Sequence, residues 1–313
     1  MWAPLDAARA WPRGRSLWWP GRPTARIGPV PVSRPNRSRR PRPGPKQRSH
    51  PGRPGGGPRA PKSQQRDRGG LGGNQVEGRQ AVRELLLAGR RRTRSVMLAR
   101  GLDPAPIVEH IVELAREQRA SVREVSRSEL DATARTESPQ GVVALADPLP
   151  EADLADLVGD RAGVPFLLAL DGITDPGNFG AVLRTAECAG VTGVVLPRHR
   201  SARITPTVAK AAAGAIEHLR FAVVPGMPSA LRTLSSHDVW TVGLDAAGPR
   251  PLHELELSGE GVALVLGSEG RGLSRLVAQR CDVLASIPLR GTLGSLNVAA
   301  AAAVACFEIA RRR

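Results

Sequence analysis

The chain has 313 residues, enough for two ordinary domains, and a formal net charge of +16. Of its 45 Lys and Arg, 17 fall within residues 1–73 against only Asp6 and Asp67, so the basic excess is a tail and the remaining body is close to neutral. Cys188, Cys281 and Cys306 are too few and too scattered for a disulfide framework or a zinc knuckle, and no apolar run reaches the roughly 18–20 residues of a membrane span. These features lend no support to a metal site, and the expectation is a soluble, cytoplasmic protein without a membrane span.

Residues 1–73 are rich in Pro, Arg and Gly and cannot bury enough apolar surface to offset their ordering entropy, so the sequence predicts disorder there. Four of the five Trp (Trp2, Trp11, Trp18, Trp19) lie in this segment. It reads either as a basic arm for nucleic-acid phosphates, with Trp stacking on bases, or as a solvated tail without function.

Residues 74–148 carry the pattern of a small α/β domain. The predicted elements are a helix opening at Glu77–Leu86, a strand at Ser95–Ala99, a helix at Pro106–Gln118 and a strand at Val122–Val125. A short helix at Glu129–Ala134 capped by Ser128 and a strand at Gly141–Ala146 complete it. Residues 149–160, with Pro150 and several acids, read as a linker.

Residues 161–313 alternate strand and helix. Strands are predicted at Phe166–Leu170, Gly193–Leu196, Leu219–Val224, Val239–Leu244, Val262–Leu266 and Val283–Ile287. Helices are predicted near Gly180–Ala189, Thr205–Ile216, Met227–Ser235, Leu273–Gln279 and Leu296–Arg311. Near-continuous apolar strands such as Phe166–Leu170 fit a parallel sheet covered on both faces, whose ligands bind beyond the strand carboxyl ends. That rule selects three loops. The first runs from Asp171 through Pro176, Gly177 and Asn178, which can cap the helix carrying Arg184. The second is Gly267-Ser268-Glu269-Gly270-Arg271-Gly272, whose glycines admit a ligand close to the backbone; it is neither a dinucleotide fingerprint nor a Walker loop. The third runs from Ile287 through Leu289, Arg290 and Gly291 to Ser295, Leu296 and Asn297, where Ser295 can cap the Ala-rich last helix.

Taken together, these three segments resemble the signature motifs of the SpoU, or TrmH, family of RNA 2'-O-methyltransferases. Asn178–Ala186 resembles the first motif, Gly267–Leu273 the second, and Ile287–Gly291 with Ser295–Asn297 the third. The resemblance covers about 240 residues. It departs from the family at Pro139, where His is common, and at Ala211–Ala213, where a Ser is frequent.

The resemblance implies an α/β fold whose C-terminal parallel-sheet domain contains a deep trefoil knot, preceded by a small ribosomal-protein-like RNA-binding domain. It implies S-adenosylmethionine as cofactor, held by Gly267, Gly270, Ile287, Leu289, Gly291 and Leu296. It also implies a homodimer formed through the last helix. The catalytic residues it nominates are Arg184, Asn178, Glu269, Ser295 and Asn297. A guanidinium is not an ordinary base, so Arg184 either loses its proton in a special environment or stabilises a developing alkoxide while phosphate or water takes the proton. The extra N-terminal domain points to ribosomal RNA, and the subgroup with this architecture to a guanosine of the large subunit. A transfer-RNA or antibiotic-resistance adenosine 2'-O-methyltransferase, and a non-catalytic RNA-binding assembly factor, remain the alternatives.

Overall fold

The computed structural model describes residues 70–159, 163–199, 202–257 and 259–313. The expectations for residues 1–69 lie outside the described residues.

The first elements are β1 (Gln75–Glu77), α1 (Arg79–Ala88), β2 (Thr93–Ala99), α2 (Pro106–Glu117), β3 (Ser121–Val125), α3 (Arg127–Thr133) and β4 (Val142–Ala146). They build a four-stranded sheet of order β1-β4-β2-β3, antiparallel at β1/β4 and β4/β2 and parallel at β2/β3. Glu77, expected at the head of a helix, instead ends β1 and is fully buried. Its carboxylate accepts from the backbone N–H of Arg135 (2.7 Å) and Thr136 (3.0 Å), which pins the loop before β4. Ser126, not Ser128, caps α3, accepting from Glu129 N at 3.2 Å.

The second sheet holds eight strands in the order β10-β12-β9-β11-β6-β7-β8-β5, and every pairing is parallel. Its strands are β5 (Glu151–Ala152), β6 (Phe166–Asp171), β7 (Gly193–Pro197), β8 (Phe221–Val224), β9 (Val239–Leu244), β10 (Arg250–Pro251), β11 (Gly261–Gly267) and β12 (Val283–Ser286). Helices α4 (Leu154–Val158), α5 (Pro176–Cys188), α6 (Pro206–Ala211), α7 (Met227–Ser236), α8 (Arg275–Ala278) and α9 (Val298–Arg312) cover it.

The side-chain alternation of a strand divides the apolar runs between two cores. Phe166, Leu168 and Leu170 of β6 and Val262, Leu264 and Leu266 of β11 pack with α5, α6 and α9. Leu167 and Ala169 of β6 and Ala263 and Val265 of β11 face α4, α7 and α8 on the other side. Burial on both faces is why these strands lack polar alternation.

Two expectations about boundaries need correction. Residues 71–73, assigned to the tail, are packed: Leu71 is buried and Gly73 N donates to Ile204 O at 2.8 Å. Residues 149–160, read as a linker, supply β5 and α4, because Leu149 and Leu157 find apolar partners in the two cores. The predicted helix Thr205–Ile216 is also broken. Ala213 and Gly214 take left-handed conformations, and a Cβ on Gly214 would stand 2.4 Å from Glu84 Cβ, so only glycine admits α1 at this distance. The small sheet is fastened to the large one at this junction. Arg91 and Glu217, both buried, form a two-pronged ion pair (2.6 and 2.9 Å), and Arg91 also donates to the carbonyls of Gly73 and Asp147.

Candidate active site

The carboxyl ends of β6, β11 and β9, together with the loop after β12, surround one side of the large sheet. Each contributes a specialised turn there. After β6, Asp175 rather than Asn178 is the N-cap of α5, its Oδ1 accepting from Asn178 N at 2.7 Å. Pro176 occupies the first helical turn, where its missing N–H costs nothing. Asn178 is thereby relieved of capping, and its side chain is free to point at other loops. In the last helix the roles are likewise shifted from expectation. Asn297, not Ser295, is the N-cap of α9, its Oδ1 accepting from Ala299 N at 2.8 Å.

The two asparagines and one carboxylate form a continuous chain of hydrogen bonds. Asn297 Nδ2 donates to Asn178 Oδ1 (3.0 Å), and Asn178 Nδ2 donates to Glu269 Oε1 (2.6 Å). Residues separated by 119 and 91 positions are thus tied together, one from each candidate loop. The amide orientations are fixed at both ends, since Asn297 Oδ1 is occupied by the helix cap and a carboxylate can only accept.

Beside this chain lies a cavity of about 520 Å³, within the range of small-molecule sites. Gly267, Glu269, Gly270, Ile287, Leu289, Ser295, Leu296 and Asn297 line it, all of them expected site residues. Gly267 is indispensable to its shape. A Cβ there would stand 2.1 Å from the carbonyl carbon of Gly272, so the strand end and the returning loop can touch only if the residue is glycine. The walls are largely apolar, from Leu244, Leu266, Ile287, Val298 and Ala301, while Leu289 and Leu296 remain 38% and 42% exposed.

Three expected residues sit differently. Asn178 reaches the cavity only through Glu269 and Asn297. Gly291 is exposed and does not line it. Arg184 is exposed on α5, two turns beyond Asn178, and makes no hydrogen bond or ion pair among the described residues. Sequence reasoning missed Asp245, which lines the cavity from the end of β9. The strand-end rule applies to that loop as well, but its short Asp-Ala-Ala-Gly run carries no glycine-rich or motif-like signal.

A parallel α/β sheet with a largely apolar cavity beyond its carboxyl ends is the arrangement of a small-ligand-binding α/β protein. Comparison with known proteins narrows it. Residues 165–307 match the SpoU rRNA Methylase family, and residues 75–152 match the RNA 2'-O ribose methyltransferase substrate binding domain. The chain is 42% identical over 241 residues to the 23S rRNA (guanosine-2'-O-)-methyltransferase RlmB of Pseudomonas aeruginosa, covering 76% of this chain and 96% of that one. It is 38% identical to the protein of the same name in Pseudomonas syringae pv. tomato, covering 76% and 95%. Among solved structures, the AdoMet-bound rRNA methyltransferase of Sinorhizobium meliloti aligns with a TM-score of 0.64 and 26% identity, over 76% of this chain and 86% of that chain. The protein belongs to the SpoU methylase family.

Proposed function

We propose that this protein transfers a methyl group from S-adenosylmethionine to the 2'-hydroxyl of a ribose in ribosomal RNA, with a guanosine of large-subunit RNA as the target. The observation that carries the reading is the Glu269–Asn178–Asn297 chain at the edge of the cavity. Membership of the SpoU family and the activity named for the Pseudomonas relatives support it, as does the AdoMet-bound state of the Sinorhizobium structure.

The cavity fits the cofactor on its own chemistry. Its apolar walls suit a purine, and the bare backbone of Gly267 and Gly270 allows close approach. Ile287, Leu289 and Leu296 would grip the adenosyl portion, with Gly291 closing the loop outside them. When bound there, S-adenosylmethionine supplies the electrophilic methyl group.

The chain's own residues then have to present the ribose oxygen and relieve it of its proton. A guanidinium donates hydrogen bonds and accepts none, so Arg184 holds the 2'-oxygen or an adjoining phosphate as negative charge develops. The proton leaves to phosphate or water. The fixed amides of Asn178 and Asn297 set the position of the α5 N-terminus relative to the glycine loop, and Ser295 at the cavity wall holds the nucleotide. Orientation of this kind contributes about 7–11 kcal/mol in well-aligned reactions.

The other parts of the reading follow the same family. The deep trefoil knot is proposed from membership of the SpoU family. A homodimer through α9 is supported by Val304 and Phe307, which are 48% and 52% exposed on it. The small domain would dock RNA, and residues 1–69 would add a basic arm, within a cytoplasm that keeps the three free cysteines reduced. Among the described residues no helix is long and apolar enough to cross a membrane.

Mapping 2'-O-methylation in ribosomal and transfer RNA from cells with and without the gene tests the proposal. Loss of one methylated guanosine from large-subunit RNA is expected. Loss confined to transfer RNA would overturn the substrate assignment.

A further inference from the structure

Three charged side chains line the cavity: Glu269, Arg271 and Asp245. Glu269 is engaged by Asn178, and Arg271 is exposed. Asp245 is different. It is half-buried at the end of β9, and its own N–H donates to Ala285 O at 2.9 Å. Its Oδ1 accepts from Ala247 N (2.9 Å), closing a tight turn that Gly248 N completes with a bond to Asp245 O, also 2.9 Å. That turn is pressed onto β12, where a Cβ on Gly248 would stand 2.6 Å from the carbonyl carbon of Ala285. The second carboxylate oxygen, Oδ2, has no hydrogen-bond partner among the described residues. It lies 3.9 Å from where a Cβ on Gly272 would be, against the glycine loop. A rigidly mounted acceptor, met by no protein donor among the described residues, therefore stands in the cavity wall.

Its location indicates which part of a ligand it meets. In the sheet β9 stands on the far side of β11 from β6, so Asp245 is separated by the whole glycine loop from Asn178 and α5. Adjacent strands are about 4.8 Å apart, which puts the two ends of the cavity on the order of 10 Å from each other. The end next to Asn178, with Glu269 and Asn297, is the one assigned to the transfer chemistry. Asp245 stands at the other end, between Leu244 and Ala246, away from the reacting methyl group and within reach of the adenosyl portion of a bound cofactor.

We infer that Asp245 is a cofactor-recognition residue, its free carboxylate oxygen accepting a hydrogen bond from the ribose hydroxyls of the adenosyl group. This rests on the reading of the cavity as the adenosyl cofactor's seat. An acid at a strand end reading a ribose diol is a recurrent solution in parallel α/β sheets.

The test is calorimetric titration of the full-length protein, its Asp245→Ala and its Asp245→Asn variants. Three probes are used: S-adenosylhomocysteine, 5'-methylthioadenosine, which lacks the amino-acid portion, and 5'-methylthioadenosine without ribose hydroxyls. Asparagine keeps an oxygen for Ala247 N but turns an NH2 towards the cavity, so it separates loss of the acceptor from loss of the turn. Thermal unfolding of each variant controls for folding. Both variants should bind the first two probes at least about 10-fold more weakly, by a common factor, while the dideoxy probe binds wild type and variants alike. Unchanged affinity in both variants, or a loss confined to S-adenosylhomocysteine, overturns the assignment. Failure of the wild-type protein to bind any of the three overturns the cofactor reading beneath it.

Discussion

The side chain of Asn297 is shared between two tasks: its oxygen caps α9 and its nitrogen, 3.0 Å from Asn178 Oδ1, binds the first loop to the last helix. Because Asn178 passes the connection on to Glu269, the positions of α5, α9 and the glycine loop are set by one hydrogen-bonded chain. Substitutions at Asn297 can separate the two tasks. Asn297→Asp keeps an oxygen for Ala299 N but cannot donate to Asn178. Asn297→Ala loses both. The alanine variant should be destabilised by about 1 kcal/mol in denaturant titrations and the aspartate variant much less. Both should lose methyl transfer. An aspartate variant with normal turnover would show that the bond to Asn178 has no catalytic consequence.

Arg184 stands apart from the cavity walls, so its removal should leave cofactor affinity intact. Arg184→Ala should bind S-adenosylhomocysteine as wild type does and transfer methyl groups at least about 10²-fold more slowly. A matching loss of cofactor affinity would mean that Arg184 supports the cavity instead of the ribose.

The junction between the two sheets makes a separate, structural prediction. Arg91 and Glu217 have side chains only 3% and 1% exposed, and removing one member leaves an uncompensated buried charge. Glu217→Ala should cost about 3–5 kcal/mol of unfolding free energy, measured by urea denaturation. A cost below about 1 kcal/mol would place this pair with ordinary surface ion pairs.

Much of this architecture was legible in the sequence. The six strands expected between Phe166 and Ile287 stand within two residues of their limits, because strands buried on both faces leave uninterrupted apolar runs. Local hydrogen-bond partners were harder to read. Ser126 and Ser128 are equally good caps by type, as are Ser295 and Asn297, and the choice depends on where the preceding turn delivers each oxygen. Glu77 was misread because its partners, Arg135 and Thr136, lie nearly 60 residues away. The two-residue strands β5 and β10 carry no periodicity to detect. All three candidate loops were visible singly, but the bonds that join Asn178, Glu269 and Asn297 exist only in the folded chain.

Thiol chemistry checks the packing of the large sheet. Burial pushes the Cys306 thiol up to about 12, and burial with Asp282 and Asp171 nearby does the same for Cys281. Cys188 is exposed on α5, yet partial burial of its sulfur and the adjacent Glu187 raise its pKa as well. Raised values mean less thiolate, so at pH 8 the native protein should show a single reactive thiol, slower than a free cysteine, and three after unfolding. Rapid labelling of Cys306 in the native state would contradict the packing of α9.

The central claim is tested most directly by incubating purified protein with S-adenosylmethionine and large-subunit ribosomal RNA, then locating linkages that resist alkaline hydrolysis. One resistant linkage, at a guanosine, formed by the wild-type protein and absent with Arg184→Ala, is the predicted result. Methylation on a base with every ribose linkage still alkali-sensitive, or equal modification by the Arg184→Ala variant, would contradict the account.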